Sequence, residues 1–199
     1  MKFISIGLEL EQPNRVGITD SSADVPTIIQ TGIVCFELGD EINVLESKTI
    51  HHRYKHELST FIKNLTSIET ADVNASEATT DDVLLSIKEL REKYDASRQL
   101  IQWGGGDDEA LIMESLCYNS FRDLGFSSNS VNVKHLFQMY CLANGIKAQG
   151  GLSKSMRKLG LDFKSVRWYG SVKGKHWAEA DALNTAIIFN ELLKRMRKV

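Results

Sequence analysis

The chain reads as an α/β layer fold built on a mixed sheet, and three observations predict it. The first eleven residues alternate apolar and polar with the period of a strand, two further strand-like runs follow, and helical periodicity then alternates with short apolar segments. Strands that open a chain before any helix pair antiparallel through short turns, whereas strands separated by helices return parallel, so both kinds of pairing are expected in one sheet.

Phe3 to Glu11 is the first strand, with Ile4, Ile6, Leu8 and Leu10 on one face and Ser5, Gly7, Glu9 and Glu11 on the other. The second face is acidic and is expected to be open. Gln12 to Pro26 is polar and turn-rich. Ile28 to Leu38 and Ile42 to Ile50 are two more strands, joined by a tight turn at Gly39-Asp40. Asp81 to Tyr94 has helical spacing through Val83, Leu84, Ile87 and Leu90. Gln99 to Trp103 is a short apolar strand ending in Gly104-Gly105-Gly106, after which Asp107 opens another helix, with Asp108 beside it as a competing candidate for a site role. Val131 to Ala143 begins as strand and continues as helix, and Leu152 to Leu159 is a short amphipathic helix. Ala178 to Arg197 lacks both Gly and Pro, and its terminal cations suit the negative end of a helix dipole.

Composition narrows the class. With 199 residues, 42% of them hydrophobic, and two prolines, the chain is expected to form one domain over residues 1–199. No signal-like start and no run of eighteen apolar residues occurs, which points to a cytoplasmic protein without a membrane span. Cys35, Cys117 and Cys141 are odd in number and lack CxxC spacing, so they are expected as core thiols. His51, His52 and His56 form no helical pair facing a carboxylate and receive no metal. The formal net charge of −2 conceals an asymmetry: residues 146–199 hold 12 Lys or Arg against 4 Asp or Glu. Within that basic part Lys164, Arg167, Trp168, Tyr169, Lys173, Lys175 and Trp177 interleave cations with aromatics, a mix suited to phosphates and stacked bases.

The segment His176-Trp177-Ala178-Glu179-Ala180-Asp181 joins a candidate general base to a candidate metal ligand where this basic loop enters the last helix. Residues five apart on a helix lie about 140° apart, so the two converge only if His176 stands on the loop and Asp181 on the helix. Gly170 and Gly174 keep the approach irregular. A base beside an oxygen ligand, reached through cations, is an arrangement suited to cutting phosphodiesters.

Glu9, Asp107, His176 and Asp181 together resemble the DEDDh 3′-5′ exonucleases, and within them the RNase T and Eri-type branch. Ile4-Ser5-Ile6-Gly7-Leu8-Glu9-Leu10 stands at the first motif, and Leu65-Thr66-Ser67-Ile68 is similar to the family's Leu-Thr-Gly-Ile. Trp103-Gly104-Gly105-Gly106-Asp107 is similar to its Trp-Gly-x-x-Asp, and Gly151-Leu152-Ser153-Lys154 precedes the third motif. The resemblance covers nearly the whole chain. It implies an RNase H-like three-layer fold with a central mixed sheet of about five strands flanked by helices.

For function, the resemblance implies hydrolysis at the 3′ end of single-stranded RNA or DNA, with Mg2+ or Mn2+ in a two-metal site. Glu9, Asp107 and Asp181 would hold metal, His176 would be the base, and Leu10, Trp103, Arg167, Trp168 and Lys173 would contact substrate. Some relatives are homodimers, which makes a homodimer an expectation by resemblance. The chain departs from the family at one place: the motif Asp-x-Glu reads Gly7-Leu8-Glu9, so the metal-bridging acid is missing. The second ion and the activity are expected to be reduced or lost. The alternative is a catalytically disabled nuclease-like protein that binds nucleic acid or a protein partner. On this reading Gly7→Asp restores hydrolysis, and Glu11 on the same strand face is a candidate substitute for the missing acid.

Overall fold

The computed structural model describes residues 1–104, 110–111, 130–168 and 171–197. In chain order its elements are β1 (Lys2–Glu11), β2 (Thr27–Glu37), β3 (Asn43–His51), α1 (Thr60–Thr66), α2 (Thr70–Asn74), α3 (Thr80–Tyr94), β4 (Leu100–Gln102), β5 (Val131–Asn132), α4 (Val133–Ala143), α5 (Leu152–Lys158), β6 (Val166–Trp168), β7 (Ser171–Lys173) and α6 (Ala178–Arg197). The main sheet has the order β3-β2-β1-β4-β5. β1 pairs antiparallel with β2, and β2 with β3, while β4 joins β1 and β5 in parallel. The predicted mixed sheet is therefore present, and the pairing changes sense at β1.

Alternation along the strands sorts the core into layers. Ile4, Ile6, Ile33 and Cys35 pack with Val83, Leu84, Ile87 and Leu90 of α3. The opposite residues Phe3, Val34 and Phe36 pack with Phe189 and Leu192 of α6, and with Val133 and Phe137 of α4. The edge-on contacts of Phe189 with Phe3 and Phe36, at ring-centroid distances of 5.3 and 6.5 Å, fix the helix over the sheet centre. Helices thus cover both faces.

The polar face of β1 is not open as its sequence suggests. Ser5, Glu9 and Glu11 are all buried. The reason is position: β1 lies between β2 and β4, and α6 crosses its second face. Gly7 and Gly32 sit opposite each other in the β1–β2 ladder. A Cβ on Gly32 would stand 2.1 Å from the backbone of Ala178 and Glu179, and one on Gly7 would stand 2.7 Å from the Ala178 carbonyl oxygen. The glycine pair is a flat seat on which the first turn of α6 rests directly on strand backbone.

Three elements went unread in the sequence: α1, α2 and the β6–β7 hairpin. The helices are only seven and five residues long, too short to show a periodic stripe. Their ends are set by side chains instead. Ser59 caps α1 by accepting from the Ile62 N–H, and Glu69 and Asp72 form a reciprocal capping box on α2. Beneath them Tyr54, Leu58, Ile62, Ile68 and Val73 form a third apolar cluster with Trp177 and Ala180. Cys35 and Cys141 are buried free thiols, as expected. Among the described residues no helix is long and apolar enough to cross a membrane.

Candidate metal centre

Glu9 comes from the central strand, one residue before a β-bulge that breaks the β1–β2 register between Glu9 and Leu10. Such bulges re-aim side chains at the end of a strand. Asp181 comes from the first turn of α6, and His176 from the turn that leads into it. That turn is closed by the Trp177 N–H donating to the Gly174 carbonyl at 3.2 Å. His176 has φ 59°, a left-handed conformation that histidine tolerates better than most side chains and that places it off the helix. The loop-and-helix division expected from the sequence is what the backbone forms.

The start of α6 is held to the sheet by a network of polar groups. The Gln30 side-chain oxygen accepts from the Ala178 N–H at 2.8 Å, and the Gln30 amide nitrogen lies 2.9 Å from His51 Nε2. Ser47 and Thr49 of β3 donate to the Glu179 carboxylate at 2.6 and 2.5 Å. The buried Trp177 indole donates to Thr49 Oγ1 at 3.2 Å. These bonds and the glycine seat fix the helix start in rotation and height, and hence fix Asp181 above β1.

Ligand-capable atoms of Glu9, His176 and Asp181 lie within 4.8 Å of one another. Burial raises the Asp181 carboxyl to about 7, against the opposing pull of a hydrogen bond from the His176 backbone and the charge of Lys175. Asp181 Oδ1 is buried without a hydrogen-bond partner in the structure. A buried, unpartnered carboxylate oxygen beside a second carboxylate and an imidazole is the donor set that a divalent cation satisfies. Burial, and then the nearby Lys175, lower the basicity of His176 and so favour the neutral ring. One ion fits these residues. Gly7, two residues before Glu9 on the same strand face, supplies no oxygen, and α6 backbone occupies the space into which a side chain there would project.

Two sequence expectations change here. Glu11 is not a spare acid: its carboxylate accepts from the Ser59 N–H and hydroxyl, each at 2.8 Å, and so holds the start of α1. Gly7→Asp is not a simple restoration, since any β-carbon there meets a helix carbonyl. Among the expected substrate contacts, Arg167 is exposed on β6. Lys173 donates to the Ser67 carbonyl at 3.2 Å and lies 4.7 Å from the Trp177 ring centroid, so it ties the hairpin to α1 and α6. Trp103 packs against Phe137, with ring centroids 6.2 Å apart, and Leu10 packs partly buried on the α3 side of the sheet. Asp107 and the side chain of Trp168 lie outside the described residues. Gln30, which seats the helix start, was missed: a glutamine in an apolar strand is the only sequence signal it leaves.

No family model matches the sequence, and no curated protein matches it. Solved structures do share its fold. It is similar to a 3′-exonuclease solved in 3′-end specific recognition of a histone mRNA stem-loop, with a TM-score of 0.70 at 17% identity, over 98% of this chain and 64% of that one. It is also similar to the nuclease domain of 3′hExo, a DEDDh family member bound to rAMP, with a TM-score of 0.71 at 17% identity, over 98% and 92% of the two chains. Exonuclease X in complex with 5′ overhanging duplex DNA gives 0.59 at 14% identity, over 97% and 92%. The chain spans less than two thirds of the first of these structures. The chain shares the fold of these structures.

Proposed function

We propose that this chain is a 3′-5′ exonuclease-type protein that engages the 3′ end of single-stranded RNA or DNA and hydrolyses its terminal phosphodiester slowly with a divalent ion, Mg2+ or Mn2+. One observation carries this reading: Glu9, His176 and Asp181 converge within 4.8 Å on a fold shared with 3′-exonucleases. When bound, the ion neutralises charge on the phosphate and polarises it for attack. Glu9 and Asp181, together with Asp107, are the oxygens that would hold it. His176, neutral and partly buried, is the group suited to take a proton from water. Arg167 and the basic loop would attract the backbone phosphates. The rate is low because Gly7 leaves the bridging position without an acid.

The packing of Gly7 favours a second reading, that of a nuclease-like protein which holds nucleic acid or a protein partner without cutting. With helix backbone 2.7 Å from the site of a residue-7 β-carbon, no acid is readily accommodated there, which supports a site that lacks the second ion. Incubation of 3′-labelled single-stranded RNA and DNA with the chain and Mn2+ separates the two. Stepwise loss of 3′ mononucleotides, reduced about a hundredfold or more by His176→Ala, is expected for the first. Binding without any release establishes the second, and absence of both binding and release removes both.

A further inference from the structure

We infer that the cleft takes a single divalent ion of the kind that accepts imidazole, manganese, cobalt or zinc in preference to magnesium, and that His176 is one of its ligands beside Glu9 and Asp181. The inference rests on reading the cleft as a cation site, but it concerns ion binding alone and holds whether or not the 3′ end is cut.

Geometry is the first support. Transition ions bind nitrogen and carboxylate oxygen at about 2.0 to 2.2 Å, so two ligands on opposite sides of an ion stand about 4 Å apart. The Glu9, His176 and Asp181 atoms, all within 4.8 Å, close on one ion with a side-chain adjustment of about an ångström or less. The carboxylates come from the central strand and from a helix anchored by Gln30 and Glu179, and the imidazole comes from a closed turn, so three separately fixed elements face one point. Asp181 Oδ1, buried and unpartnered, supplies an independent indication that a ligand belongs there.

Donor chemistry and space then select the ion and its number. Magnesium favours an all-oxygen octahedron and keeps its waters, whereas an imidazole nitrogen suits manganese, cobalt and zinc progressively better. A two-ion arrangement needs a second ion about 3.5 to 4 Å away with a carboxylate between the two. Among the described residues the cluster offers only two carboxylates, Glu9 and Asp181, and Gly7 on the same strand face adds no oxygen. An imidazole that holds the ion through its one lone-pair nitrogen cannot also take a proton from water there. The same contact that completes the ion site thus withdraws the base, a second cause of slow hydrolysis beside the absent acid.

The test uses the whole chain, stripped of metal and free of nucleic acid. Calorimetric titration with MnCl2, ZnCl2 and MgCl2 is expected to give one ion per chain, with manganese at least tenfold tighter than magnesium. Pulsed electron paramagnetic resonance of the bound manganese is expected to show nitrogen modulation from the imidazole. His176→Asn, chosen because asparagine tolerates the left-handed backbone, is expected to remove that modulation and most of the preference while leaving the fold intact by circular dichroism. Two ions per chain, an unchanged preference in His176→Asn, or manganese bound without nitrogen modulation would each overturn the inference. Failure of nuclease activity in the labelled-substrate assay leaves these readings untouched, so the two proposals fail separately.

Discussion

Asp181 and His52 pull the stability of the metal-free chain in opposite directions as pH changes. Burial raises the Asp181 carboxyl from 3.8 to about 7, so the unfolded chain releases this proton first and folding loses stability as pH rises through that window. Burial lowers the His52 imidazole, which meets Thr31 Oγ1 at 2.7 Å, from 6.5 to about 4. The unfolded chain therefore protonates first, and this part of the stability is present above pH 6.5 and lost as pH falls toward 4. At about 1.4 kcal/mol per unit, each effect amounts to about 3 to 5 kcal/mol, and the two oppose each other between those limits. Asp181→Asn should remove only the first. Urea unfolding without metal is expected to find the variant more stable than the parent by a few kcal/mol at pH 7.5 and about equal to it at pH 4.5. A stability difference that does not change with pH would show that Asp181 is not desolvated as described. The roles of these residues were legible to different degrees: the chain order of His176 and Asp181 announces their convergence, whereas nothing in Ser59 announces that it takes the Glu11 carboxylate.

At the scale of elements, the glycine seat decides how closely α6 approaches the sheet, and it yields a graded prediction. A methyl group on Gly32 meets helix backbone at 2.1 Å and one on Gly7 at 2.7 Å, and neither neighbour is a flexible side-chain end. Gly32→Ala is expected to destabilise the chain by about 3 kcal/mol or more, and Gly7→Ala by about 1 to 3 kcal/mol. Denaturant midpoints of the two variants check the order, and a neutral Gly32→Ala would show that the helix does not rest on β2. Ser67 offers the opposite case. It closes α1 at φ 59°, a left-handed conformation that glycine adopts without strain, so Ser67→Gly should stabilise by about 1 kcal/mol, read from the same midpoints. No gain there would argue that the left-handed cap is unstrained. The long elements were legible because β1, β2, β3, α3 and α6 repeat their periodicity often enough to be counted. The short α1, α2 and β6–β7 were not, since they are too short to show a periodic stripe, and α1 and the hairpin are also tied down by partners distant in sequence, Glu11 for Ser59 and Ser67 for Lys173.

Across the whole molecule, charge and fold divide the labour of the cleft. Glu9 belongs to the negative first part of the chain, and the cation surplus to the last, where residues 146–199 carry 12 Lys or Arg against 4 Asp or Glu. The parallel and antiparallel halves of the sheet meet at β1, and α6 packs across it, so that Glu9 meets His176 and Asp181, with Lys175 close enough to act on both. Composition made the asymmetry visible, but not which cations are committed to the structure. Lys173 is engaged by Ser67 and Trp177, whereas Arg167 stands exposed on the neighbouring strand. The two therefore predict different phenotypes. Arg167→Ala should weaken binding of single-stranded nucleic acid while leaving the thermal midpoint unchanged, and should lower the slope of log affinity against log salt by about 0.7, the release of one counterion. Lys173→Ala should instead lower the thermal midpoint, because its loss frees the hairpin from α1 and α6, and should weaken binding through that loosening. Fluorescence anisotropy with a labelled single strand over a salt series, beside calorimetric melts, distinguishes the two. If affinity is independent of salt in the parent chain, the basic face does not receive a phosphate backbone; if Arg167→Ala alone lowers the melt, the assignment of structural and binding cations is reversed.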